Sequence, residues 1–94
     1  MIQSFADKET EKVFHQVFSK KLPQSIQRIA LRKLIMMDVA ESIEDLRVPP
    51  SNHLEQLRGE RAGQFSIRIN KQYRICFSMQ DTNIFDVEIV DYHD

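Results

Sequence analysis

Apolar residues along this chain change their period partway, from helical in the first half to alternating in the second. Val13, Phe14, Val17 and Phe18 fall on one side of a helix predicted over residues 8–19. Asp7 is its expected N-cap, and Glu9 and Glu11 sit where a helix N-terminus favours negative charge. Leu22-Pro23 restarts the chain, with Pro23 suited to a first helical position. Ile26, Ile29, Ala30, Leu34 and Met37 then repeat at i, i+3 and i+4, which predicts a second amphipathic helix over 23–38. Arg28 and Arg32 share its solvent face, and Met36-Met37 reads as gap-filling core. Ahead of both helices, Ile2 to Phe5 has the makings of a short edge strand.

Beyond Ile43 and Leu46 the helical pattern stops at Pro49-Pro50-Ser51-Asn52, a loop that no helix or central strand would hold. After Gly59 and Gly63 the period becomes two. Phe65, Ile67 and Ile69 alternate with Gln64, Ser66 and Arg68; Tyr73, Ile75, Phe77 and Met79 alternate with Arg74, Cys76 and Ser78. Phe85, Val87 and Ile89 alternate with Asp86 and Glu88 in a third strand. The connections Asn70-Lys71-Gln72 and Gln80-Asp81-Thr82-Asn83 are short and turn-prone, which predicts consecutive antiparallel hairpins. Helices followed by a meander give an α+β domain, with the N-terminal helices packed on one face of a small antiparallel sheet. The opposite face carries Arg68, Arg74, Cys76 and Ser78, and a ligand would sit there.

The chain's 94 residues suit one domain spanning 1–94, with a single core. A hydrophobic content of 41% with 29% charged residues is that of an ordinary soluble protein. No apolar run is long enough for a membrane span, and the first residues lack the pattern of a signal peptide. The one cysteine, Cys76, cannot form an internal disulfide, so the expected setting is the reduced cytoplasm. The net charge of −1 conceals an asymmetry. Residues 46–79 hold six basic and two acidic side chains, a local +4, while residues 80–94 hold five acidic and none basic. Five of those six basic residues are arginine, which grips phosphate in two-pronged fashion but also pairs with carboxylates. Antiparallel neighbours would bring the two segments together, so part of the asymmetry is expected to be internal compensation.

The chain closes on Asp91-Tyr92-His93-Asp94, directly after the last predicted strand. Cleavage of RNA by internal transesterification needs a base for the 2′-OH, a cation for the phosphorane and an acid for the 5′-oxygen. Unperturbed imidazole has its pKa near neutrality, which makes His93 the best acid/base candidate. Arg74 and Arg68 are the best stabilisers of phosphate charge. In an extended strand Asp91 and His93 share one face and Tyr92 takes the other. The bland readings are a frayed terminal histidine, a tyrosine covering core, and a structural or surface His15. The three histidines, His15, His53 and His93, lack metal-ligand spacing, so no metal or other cofactor is expected. On residues alone, the chain reads as a small anion-seeking α+β domain.

One long stretch carries a resemblance. Pro-Pro-x-Asn-x-Leu-x-x-Leu-Arg-Gly-x-Arg-x-Gly-x-Phe-Ser-Ile-Arg-Ile-Asn-x-Gln-Tyr-Arg-Ile-Cys-Phe runs from Pro49, and Asp-Val-Glu-Ile-Val-Asp-Tyr-His ends at His93. Together they resemble the HigB toxins of the RelE superfamily over about half the chain. The resemblance implies a RelE-like fold and a ribosome-dependent, metal-independent endoribonuclease that cuts mRNA in the ribosomal A site. It also implies as partners a HigA-like helix-turn-helix antitoxin, the 70S ribosome, and mRNA with contacts to rRNA. By the same resemblance His93 would transfer protons, Asp91 would assist or orient, Tyr92 would position or stack on the nucleotide, and Arg74 would meet the scissile phosphate. Arg58, before the loop glycine, would bind RNA; Arg68, Arg61, Lys71 and His53 complete the expected RNA-binding set. Where some members carry an active-site histidine four residues before that glycine, this chain has Glu55, with His53 two residues earlier. Which of the two serves is open. Many relatives also place Trp where Met79 stands.

Two other readings compete with the ribonuclease. One is a non-enzymatic toxin of the same fold, similar to ParE, that poisons gyrase by binding. The other is an interaction module whose arginine face docks an acidic partner.

Overall fold

The computed structural model describes residues 1–92, so His93 and Asp94 lie outside the description that follows. Two helices, α1 (Lys8–Phe14) and α2 (Gln24–Val39), precede four strands, β1 (Glu55–Gln56), β2 (Phe65–Arg68), β3 (Tyr73–Gln80) and β4 (Asn83–Asp91). The strands form one antiparallel sheet in the order β1-β2-β3-β4, and both helices pack on one of its faces. This is the α+β architecture that the change of period predicts. The two-residue β1 lies in what reads from the sequence as loop.

Helix α1 begins as expected, with the Asp7 carboxylate accepting from Thr10 N at 2.8 Å. It ends five residues sooner than its apolar pattern implies. Gln16 adopts a left-handed φ of 63°, its N–H donates to Val13 O at 3.0 Å, and Val17 N donates to Lys12 O at 2.8 Å. That pair of bonds is a Schellman stop built without glycine. Val17 and Phe18, expected on the core face, are consequently 53% and 57% exposed. The Gln27 side chain then ties the following loop to α2, accepting from Ser19 N and donating to Ser19 O and Leu22 O. In α2, Ile26, Ala30, Leu34 and Met37 are buried against the sheet, and Pro23 stands at the N-cap, one residue before its expected place.

The core face of the sheet pairs Ile67 with Ile75 and Ile75 with Ile89, while Phe65 and Phe77 are cross-strand partners with rings 6.1 Å apart. Along β4 the alternation slips by one residue. Asp86 is left-handed at φ 55°, and the register between β3 and β4 shifts between Cys76 and Ser78. Ile84 therefore fills the core together with Val87, and Phe85 turns to the other face, opposite Ser78. Strict alternation places Phe85 inside; the bulge overrides it.

Residues 1–6 cover the outer edge of β4 through two isolated parallel bridges, Ile2–Ile84 and Phe5–Val87, and do not form the short edge strand expected over Ile2–Phe5. Further along that edge Ile89 N donates to the buried Thr10 Oγ1 at 2.9 Å, which fastens α1 to the sheet. Edge N–H groups that would otherwise template aggregation are thus satisfied.

Candidate active site

Pleating puts Ser66, Arg68, Arg74, Cys76, Glu88 and, beyond β4, Tyr92 on the sheet face away from the helices. Arg68 and Arg74 are direct cross-strand partners, a placement of like charges that destabilises a sheet. The pair concentrates positive charge at one place on this face. The cleft around them has a volume of about 420 Å³ and is lined by His53, Glu55, Arg68, Asn70, Lys71, Arg74 and Tyr92.

Arg74 is the centre of this cleft. Only 8% exposed, it would be costly to bury without partners. Its Nε donates to Ser66 Oγ at 2.7 Å, and Nη2 donates to Ser66 O at 3.3 Å and to His53 O. The remaining nitrogen, Nη1, has no hydrogen bond among the described residues and lies 3.9 Å from Glu55 Oε1. Neutral oxygens therefore lock one edge of the guanidinium, and the other edge faces the cleft. The Tyr92 ring lies 5.8 Å from the Arg74 guanidinium carbon, within cation–π range. Tyr92 N also donates to Gln72 O at 2.6 Å, which holds the strand end against the β2–β3 turn.

That turn is an Asn70 construction. Its side-chain oxygen accepts from Gln72 N and Tyr73 N, both at 2.8 Å, and so shapes the loop that presents Lys71. Opposite, Asn52 is fully buried and holds the Pro49–His53 segment. Its amide donates to Leu46 O at 3.0 Å and Val48 O at 3.3 Å, and its oxygen accepts from Lys33 Nζ. His53, left-handed at φ 44°, follows directly and offers Arg74 its carbonyl while its exposed side chain lines the cleft. Glu55 lines the same wall and is 53% exposed, so both candidates for the departed family histidine reach the site.

The sequence-predicted residues are thus partly gathered. His53, Glu55, Arg68, Lys71, Arg74 and Tyr92 converge. Arg61 lies on the same sheet face but outside the cleft lining, where it pairs with Glu88 at 3.1 Å and donates to Gln64 at 3.0 Å. That pairing is the internal compensation expected between the basic middle and the acidic tail. Arg58 is exposed ahead of the Gly59–Arg61 turn and also lies outside the lining. Asp91 faces away from Arg74, paired with Tyr73 across the strands and reached by the Gln72 amide at 3.2 Å. His93 lies outside the described residues. Cys76 is fully buried, and burial pushes its thiol up, so at neutral pH it is a packing group and no nucleophile. Among the described residues no three of His, Cys, Asp and Glu converge on a metal position. Ser66, Asn52 and Asn70, which position the charges, went unassigned in the sequence. Only Asn70, ahead of Lys71-Gln72, carries a turn signal that foretells its part.

The chain is similar to known proteins. Residues 3–93 match the family described as HigB-like toxin, the RelE-like toxin of the type II toxin–antitoxin system HigB. Toxin HigB-1 of Vibrio cholerae serotype O1 is 42% identical over 82 residues, 86% of each chain. An uncharacterized Haemophilus influenzae protein is 41% identical over 64 residues, 68% of this chain and 63% of that protein. Among solved structures, a YoeB–YefM complex from Staphylococcus aureus contains a chain that superposes with a TM-score of 0.62. At 20% identity, with 100% of this chain and 97% of that chain covered, it shares the fold.

Proposed function

The chain belongs to the HigB-like toxins, the RelE-like toxins of type II toxin–antitoxin systems, and on that premise we propose that it is an endoribonuclease cleaving mRNA in the A site of the ribosome. The observation that carries this reading is the half-locked Arg74. One guanidinium edge is fixed by Ser66 and His53, and the other is presented to a cleft flanked by Arg68, Lys71 and the Tyr92 ring. A fixed cation aimed where charge develops is the arrangement that stabilises a phosphorane without reorganisation.

In this reading Arg74 Nη1 meets the scissile phosphate, Arg68 and Lys71 hold the backbone, and Tyr92 stacks on a base. His93 transfers the proton to the leaving oxygen. The group that takes the 2′-OH proton is Glu55 or His53, both on the facing wall. Asp91, on the far face of β4, acts by orienting the chain end through its Gln72 contact. Arg58 and Arg61, outside the cleft, serve longer RNA or rRNA contacts on the ribosome. The cognate partner is an antitoxin, proposed as a HigA-like helix-turn-helix protein. The site of action is the cytoplasm, where the ribosome completes the catalytic geometry.

The test is primer extension on translated message after induction. Cuts within codons are expected with the unsubstituted chain, and none with Arg74→Ala or His93→Ala. Unchanged cleavage by both variants would remove these residues from the mechanism. Growth arrest with a DNA-damage response and intact mRNA would favour the ParE-like reading instead.

A further inference from the structure

The active cleft does not end at His53. A second hollow of about 340 Å³ shares His53, Arg68 and Asn70 with it, so the two form one continuous trough. The added part runs under the middle of α2, which contributes Arg32, Lys33 and Ile29, while Ile69 closes β2's end of the floor. Its lining contains three cations, Arg32, Lys33 and Arg68, and among the described residues no carboxylate. Lys33 is anchored, since Nζ donates to Asn52 Oδ1. Burial, together with the neighbouring Arg32 charge, holds that ammonium below the usual lysine range. Arg32 itself is exposed and makes no hydrogen bond or ion pair among the described residues. Adjacent unneutralised cations repel one another, and an anion in the trough would relieve both.

We propose that this extension is a second nucleotide subsite, in which Arg32 and Lys33 take the backbone phosphate next to the cleaved one. The apolar Ile29 and Ile69 surfaces would receive that nucleotide's sugar or base. The inference rests on the ribonuclease reading and adds to it a direction of travel: the strand leaves the cleft along α2, past His53. Single-stranded RNA fits better than a folded acidic partner because the trough is continuous with the cleavage site and part apolar.

The test uses uncleavable 2′-O-methyl RNA, as a dinucleotide and as a nonanucleotide, with binding followed by fluorescence anisotropy over a salt series. Arg32→Gln is expected to weaken the nonanucleotide several-fold and to make its salt dependence shallower by about 0.7 in log–log slope, one lost phosphate contact. Dinucleotide binding should stay unchanged, whereas Arg68→Gln should weaken both ligands. Nonanucleotide binding that ignores Arg32→Gln but falls with Arg68→Gln overturns the second subsite and leaves the cleft reading standing. If neither RNA binds the unsubstituted chain, the second subsite is overturned, since it is assigned to this chain's own surface, while the ribonuclease reading stands or falls on primer extension. A polyglutamate peptide that competes with the nonanucleotide, and loses affinity equally with Arg32→Gln, would reassign the trough to an acidic protein. Arg32 is exposed on a helix, so an unchanged far-UV circular dichroism spectrum is expected for its variant.

Discussion

Ser66→Ala removes one oxygen from a fully buried position, and that oxygen is the acceptor for Arg74 Nε at 2.7 Å. The guanidinium keeps Ser66 O and His53 O as partners for Nη2, so it is weakened in its anchorage rather than stripped. A hydrogen bond to a charged group contributes about 1.5–3 kcal/mol, and the remaining bonds put the expected loss near ~2 kcal/mol. With a urea m-value of about 1–3 kcal/mol/M, the unfolding midpoint should fall by roughly 1 M. If that energy also orients Nη1 toward phosphate, cleavage should drop by about tenfold or more, since ~1.4 kcal/mol corresponds to a factor of ten. Urea unfolding followed by tyrosine fluorescence measures the first quantity, and primer-extension rates on translating ribosomes measure the second. Ser66→Thr, which retains an acceptor, should recover most of both. A double-mutant cycle with Arg74→Met isolates the pair. A midpoint unmoved by Ser66→Ala, or the same loss in the Arg74→Met background, would sink the claim that Ser66 holds this arginine.

Asn52→Ala should destabilise by about 3 kcal/mol, because Leu46 O and Val48 O lose their buried donor and Lys33 its acceptor; thermal unfolding checks this. Tyr92→Phe should keep RNA affinity while Tyr92→Ala should lose about 1–3 kcal/mol of binding, the scale of a stacked base, and equal losses from both would refute a stacking role. The Ser19 hydroxyl bond, aided by Lys12, lowers the Glu9 carboxyl below its ordinary 4.5. A lowered folded value means that this contribution is complete above pH 4.5 and is lost as pH falls through the folded value. Ser19→Ala should therefore flatten the acid limb of the stability curve, and an unchanged limb would exclude Glu9 as its source.

The differences between sequence and structure have local causes. Helix α1 stops at Phe14 because Gln16 takes a left-handed conformation that a glycine would have announced. Phe85 leaves the core because Asp86 bulges, and aspartate tolerates that geometry without marking it. Strand β1 consists of Glu55 and Gln56, too short and too polar to carry a period. Tyr92, not Asp91, joins Arg74, as alternation from Val90 dictates once the register of β4 against β3 is known.

Residue order alone determined the helix-then-meander architecture, because burial imposes periods of 3.6 and 2 that can be read without coordinates. It also determined which sheet face is basic, and through the Pro49–His93 pattern the family. Tertiary structure alone decided which of the basic residues converge. Arg58 and Arg61 carry the same charge as Arg68 and Arg74, yet one is exposed outside the cleft and the other is bound to Glu88. The difference lies in contacts between residues distant in sequence: Ser66 and His53 for Arg74, and Asn52 and Lys33 for the wall beside it. Such contacts are set by how strands register and how α2 crosses the sheet, which no local pattern encodes.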